Sequence, residues 1–302
     1  MSVVELESRE IQLEAPSGLW SEAWRRLIRN PGAIVGGFFV LCFVVAAAFA
    51  PVLAPYGPKD QNLLLIVKGC CPGPSAKHWL GVDLLGRDVY SRILYGARYS
   101  LMIGVVSVAI GLSVGLVLGS IAGYVGGFLD SVIMRCMDVM LAIPGLLFAI
   151  GIVAVLGPGL WQIMVAVGVV NIPIFARLLR GSVLAQREND FVLAARAVGV
   201  RRPSILVSHI LPNAISPVIV QGTLALATAI IDVAGLEFLG LGPSDPSRPE
   251  WGQMLTETNE YLQTAPFLAI IPGLAIVFSA LGFNLVGDGL REALDPKLRG
   301  RA

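Results

Sequence analysis

Six stretches of the chain, roughly 31–53, 97–123, 132–156, 160–180, 214–236 and 264–290, are long and apolar with few charges inside them. At about 1.5 Å of rise per residue, a helix over any one of them covers the ~30 Å hydrocarbon core of a bilayer. Nothing in that core can hydrogen-bond an open backbone, so such runs fold as helices. Composition agrees: 14% of residues are charged and 55% hydrophobic, against roughly 25% charged in soluble domains. The expected fold class is all-α, a polytopic membrane protein with about six transmembrane helices. A net charge of +1 excludes a phosphate-neutralising stripe and hence nucleic-acid binding.

The N-terminus is not a secretory signal. Glu5, Glu7, Glu10 and Glu14 stand where a signal peptide is basic, and the run Ala33 to Ala50 leads into Pro51 and Pro55 as a retained anchor. In residues 1–30, Trp20, Trp24, Leu27 and Ile28 recur at helical spacing with Arg25, Arg26 and Arg29 between them. That pattern predicts a short interfacial amphipathic helix. Residues 31–53 form the first span, 54–96 an external loop, 97–290 a five-helix core with a cytoplasmic loop at 181–213, and 291–302 a cytoplasmic tail. This topology puts fourteen Lys and Arg inside against seven outside.

Gly111, Gly115, Gly119 and Gly123 lie four apart and line one helix face, where a neighbouring backbone can approach closely. Pro144, Pro173 and Pro272 fall inside apolar runs and are expected to kink them. Cys42 and Cys136 read as packing residues. Cys70 and Cys71 read as free thiols in a tolerant loop, with a vicinal disulfide as the alternative.

Several chemistries are excluded. None of Lys59, Lys68, Lys77 and Lys297 is followed by Ser or Thr, so the chain has no P-loop and binds no ATP of its own. His78 and His209 fall on opposite sides of the membrane, which rules out a histidine metal cluster. Gly111-Leu-Ser113-Val-Gly115 matches a nucleophile elbow but lies in a continuous apolar helix with no base nearby. Arg135 and Asp138 are spaced to pair. The membrane interior carries no chain of acids such as ion-driven transporters use. Asp232 is kept as a path residue, interfacial packing being the equal alternative, and Asn284 is taken with it.

The positive signal is Asn189 to Asn213. It reads as a helix, a turn at Gly199, a second helix from Pro203 and a stop at Pro212. Ala194, Ala195 and Ala197 offer a small-residue surface, and Phe191, Val200 and Leu206 offer apolar anchors. Ala194-Ala195, then Gly199, then Leu211-Pro212 resembles the EAA loop of membrane subunits of ATP-binding-cassette importers. His78 to Arg98, Ala122 to Gly127, Phe238 to Gly242, Pro249 to Gly252 and Phe283 to Leu298 resemble the C-type permease subunit of dipeptide and oligopeptide importers.

The resemblance implies a type I importer architecture in a bacterial plasma (inner) membrane, with both termini cytoplasmic. It implies a homologous B-type permease as heterodimer partner, two ATPase subunits or domains carrying ATP and Mg, and an external peptide-binding protein. The permease itself is then not an enzyme and binds no cofactor. The expected ATPase-coupling residues are Phe191, Leu193, Ala194, Ala195, Ala197, Gly199, Val200, Ser204, Leu206 and Pro212. Leu193 stands where the family has its glutamate, so contact there is apolar. Nickel or glutathione is the alternative cargo. A stand-alone secondary transporter and a non-transporting scaffold are the alternative classes.

Overall fold

A computed structural model of the chain describes residues 19–66, 70–243, 245 and 247–294. The expectations placed on Glu5 to Glu14, the Trp20 side chain, Lys68, and the tail from 295 onward with Lys297, Arg299 and Arg301 lie outside the described residues. No β-strand forms among those described; an isolated bridge joins Val82 and Asp88.

A short helix α1, Leu19–Leu27, precedes α2, Pro31–Leu53. Asn30 starts α2: its side chain accepts from the Ala33 amide at 3.0 Å, and Pro31 takes the first helical position, where no amide donor is needed. Next come α3 (Val89–Val125), α4 (Gly127–Ala142), α5 (Gly145–Leu156) and α6 (Leu160–Arg187). The loop after α6 contributes α7 (Asp190–Ala197), α8 (Arg202–Ile205) and α9 (Leu211–Ala214). The chain ends in α10 (Ser216–Phe238), α11 (Trp251–Glu257) and α12 (Phe267–Leu294). Five of these, α2, α3, α6, α10 and α12, are each long and apolar enough to cross a bilayer, and the bent pair α4–α5 passes the same test when taken together.

Two spans differ from the reading of the sequence. The second begins at Val89 rather than near 97, because Asp88 caps it by accepting from the Ser91 amide at 2.8 Å. The third is not one helix: α4 and α5 meet at 95°. Pro144 brings no amide donor and drives Ile143 to extended backbone (φ −93°, ψ 131°), which ends α4. Pro173 and Pro272, by contrast, stay inside the continuous helices α6 and α12.

The glycine stripe meets α6. A Cβ on Gly115 would fall 2.6 Å from Phe175 Cβ, and one on Gly119 would fall 2.5 Å from the Ala176 carbonyl oxygen. Any side chain there holds the two helices apart. Ser113 donates its hydroxyl to the Ile110 carbonyl inside α3, so no nucleophile elbow forms.

The end of the bundle opposite the α7–α9 loop is closed by residues 70–88 folded against α11. Arg87 reaches Asp83 at 2.6 Å and Glu257 at 2.8 Å, while Arg92 reaches Glu257 at 2.9 Å and also pairs with Asp83. Two cations and two anions balance in a largely buried cluster. Trp251 is fully buried beside it and donates its indole N–H to the Ile93 carbonyl. Cys70 and Cys71, expected as free thiols, are joined in a vicinal disulfide and pack against this outer core. Cys42 and Cys136, expected to pack, are exposed free thiols.

Candidate functional site

α6 runs on beyond the apolar region to Arg187, and after Asn189 the chain turns into α7. Gly199 makes the next turn with φ +79°, a left-handed conformation that a Cβ opposes. Pro203 then sits in the first turn of α8. Pro212 does not stop the second helix as expected. Helical backbone continues through a wide π-type stretch, Leu206–Ile210, into α9 and ends after Ala214. The widened turn accommodates the proline, whose missing amide leaves a carbonyl to be satisfied otherwise. The Asn213 side-chain amide also donates to the His209 carbonyl at 2.7 Å, a further tie within the same stretch.

The loop has two sides. Val192, Ala195, Ile205, Ile210 and Ala214 are buried in one core with Phe175, Leu179 and Val183 of α6. Tyr124 at the end of α3 donates its hydroxyl to the Arg202 carbonyl at 2.8 Å. The other side presents Phe191, Leu193, Ala194, Ala197, Gly199 and Ser204 to solvent, Leu193 at 52% exposure. Three expected contact residues are placed differently. Ala195 faces the core, and Val200 and Leu206 are half-buried against it rather than standing out as anchors. Both line a pocket of about 810 Å³ between the loop and the ends of α3 and α6, with Arg187, Arg196 and Arg202 around it. Val198 and Val207 are exposed apolar residues that sequence reasoning missed. Val198 stands directly before the Gly199 turn, which was the available signal; Val207 had none, because its exposure follows from the π-type stretch.

Inside the membrane, Asp138 does not pair with Arg135. It pairs with Arg177 of α6, which reaches it from the neighbouring helix. One turn of α6 nearer the loop, Arg180 grips Asp130 with both nitrogens, Nε to Oδ1 at 2.5 Å and Nη2 to Oδ2 at 2.6 Å. Two ion pairs thus strap α4 to the helix that carries the loop. The α4–α5 break lies beside Val170 of α6, since a Cβ on Gly145 would be 3.1 Å from Val170 Cγ1. Val170 is ten residues into α6, about 15 Å from its start at Leu160, or half of a ~30 Å core along it. Residues 141–147 are all exposed. Asp232 on α10 and Asn284 on α12 are half-buried.

At the outer end, Glu250 is buried. It accepts from the Ser100 hydroxyl at 2.7 Å and the Gln253 amide at 3.0 Å. Burial nevertheless pushes its carboxyl above the usual range.

With this geometry in place, the similarities to known proteins are informative. Residues 115–300 match the family described as binding-protein-dependent transport system inner membrane component. Residues 18–66 match the N-terminal transmembrane domain of oligopeptide transport permease C. A dipeptide transport system permease from Alkalihalophilus pseudofirmus is 46% identical over 93% of this chain and 90% of its own. A glutathione transport system permease from Salmonella paratyphi A is 50% identical over 93% and 91%. Among solved structures, a methionine ABC transporter in inward-facing conformations superposes with a TM-score of 0.56 at 19% identity, over 68% of this chain and 96% of that one. That likeness bears on the fold alone.

Proposed function

The chain belongs to the family of inner-membrane components of binding-protein-dependent transport systems, and from that premise we propose that it imports dipeptides or short oligopeptides as the C-type half of a heterodimeric path. As a permease subunit of an ATP-binding-cassette importer it is not catalytic, and the ATPase resides in separate subunits. ATP and Mg belong to those subunits. A homologous B-type permease completes the path, and a binding protein delivers cargo from outside. Relatives that carry dipeptides and glutathione support a peptide cargo, since glutathione is itself a small peptide. The arginine distribution supports termini on the cytoplasmic side.

The observation that carries the mechanism is the two-sided loop. Its inner side is continuous with the core of α6, while Phe191, Leu193, Ala194 and Ala197 stand free. Closure of an ATPase pair against that free side moves α7–α9 as one body with α6. The straps at Asp130 and Asp138 carry the movement to α4 and the break at mid-depth. Alternating access follows from two packings of that bundle. The backbone of the break has no place against lipid. It therefore belongs on the side of the path, with Asp232 and Asn284 as further path residues.

The test is the complex reconstituted with its second permease, ATPases and binding protein, assayed for ATPase stimulation by dipeptides, longer peptides and glutathione. Stimulation by peptides supports the cargo assignment. Stimulation by glutathione alone narrows it to the second reading, which the 50% identical relative favours. Stimulation by neither removes it.

A further inference from the structure

Asp138 and Arg177 are each 47% exposed by side chain in the isolated subunit, although both lie in apolar spans. Arg177 is seventeen residues into α6, about 26 Å from its start and so near the inner rim of a ~30 Å hydrocarbon core. Ionised groups there face a bundle interior or water, because hydrocarbon neither solvates nor screens them. One helical turn from Asp138, the exposed stretch 141–147 begins, where the carbonyls at the end of α4 lose their helical partners. The exposed ion pair and the exposed break follow one another along α4, and neither suits lipid.

The pair also differs from its neighbour. Arg180 and Asp130 meet through two hydrogen bonds, and Asp130 is only 15% exposed. Arg177 and Asp138 meet through a single contact and leave a carboxylate oxygen and further guanidinium N–H groups open. A free peptide carries a carboxylate and an ammonium. Arg177 matches the first through its planar fork and Asp138 matches the second. With no peptide present the two neutralise each other, so the station carries no net charge that would hold cargo too tightly to release.

We propose that Asp138 and Arg177 form a polar station on the water-filled side of the path, exchanging their mutual contact for the charged termini of a passing peptide. This rests on the peptide reading above.

The experiment uses the complete importer in proteoliposomes, with Cys42→Ser and Cys136→Ser as background. Arg177→Cys should lower uptake of a free zwitterionic peptide about tenfold, the worth of one charge-assisted hydrogen bond. A cationic trimethylammonium methanethiosulfonate should then react with that cysteine and restore uptake. The anionic sulfonate analogue should not restore it, excess peptide should slow both reactions, and Arg177→Lys should keep most of the uptake. Wild-type uptake by Arg177→Cys, or a cysteine inert to both reagents during turnover, overturns the station. Should Arg177→Cys fail to assemble, Leu141→Cys reads the same water access: labelling slowed by peptide supports the station, and no labelling overturns it. If the wild-type complex ignores peptides, the peptide reading fails and the station with it. If the wild type responds and position 177 is indifferent, the station alone fails.

Discussion

At the scale of single residues, one carboxylate oxygen of Glu257 serves two arginines, Arg87 and Arg92. Replacing it with an amide leaves the shape of the outer cluster but gives it a surplus positive charge in a buried setting. Glu257→Gln is therefore expected to cost about 3 kcal/mol of stability, read as a lower thermal midpoint in detergent. An unchanged midpoint would mean that the cluster is wetter than its burial implies. Glu250 makes a second case. Its folded-state carboxyl is raised by burial, so the stability linked to it is fully present below the unfolded value near 4.5 and is lost as pH rises through the folded value. Glu250→Gln keeps the size of the side chain and removes the titration. Its unfolding midpoint should depend less on pH than the wild type's above pH 4.5, and a parallel pair of curves would refute the assignment. Neither effect was legible in the sequence. Both depend on which loop folds over which helix end, and residues 83 and 257 are far apart along the chain.

At the scale of elements, the α7–turn–α8 loop works as a lever only if its shape is kept. Valine at position 199 meets a backbone at φ +79°, which costs a β-branched residue roughly 1–3 kcal/mol. Gly199→Val should leave ATP hydrolysis running in the assembled complex while uptake falls severalfold; uptake at the wild-type rate would remove the lever. Docking should rest on apolar contact at Leu193, which is about half exposed on α7. Leu193→Ala removes buried apolar area worth roughly 1.5 kcal/mol and should weaken ATPase association about tenfold, measurable by titrating ATPase subunits onto the permease pair. The loop was readable in advance because glycine and proline act locally: Gly199 and Pro203 do what their backbones require. Pro212 misled because a π-type turn absorbs it, and that depends on the packing of Ile205 and Ile210. The first span was readable to its ends, since Asn30 and Pro31 mark its start. The kink at Pro144 was readable from the proline itself, but its size, 95°, was not, because hydropathy carries no direction. The partner of Asp138 was missed for a related reason: spacing along one helix suggests Arg135, and only the register of α4 on α6 brings in Arg177.

At the scale of the molecule, the question is what the subunit does alone. α2 and α12 pack through a close approach at Gly36 and the Gly282 carbonyl, and α3 and α6 through the glycine stripe, so the bundle has internal reasons to hold together. It nonetheless leaves one face unsuited to lipid: the half-exposed Asp138–Arg177 pair and the open backbone of 141–147. On the function proposed above, that face is one wall of a path whose other wall is on another chain. A stand-alone secondary transporter would need its coupling ions held by acids spread through this bundle, yet Asp138 is already engaged by Arg177, and Asp232 and the buried Glu237 both stand in the last two turns of α10 rather than forming a chain across it. The purified chain in proteoliposomes should therefore show no peptide uptake under a proton or sodium gradient, whereas the complex with second permease, ATPases and binding protein should take up peptide when ATP is supplied. Gradient-driven uptake by the chain alone would overturn the half-path reading. Co-expression gives an independent measure of the same argument. If the exposed face is a half-interface, the yield of intact subunit should rise with the homologous permease present, because pairing removes the hydrocarbon contact that open carbonyls and ionised groups resist. An equal yield with and without the partner would mean that the face is covered from within this chain.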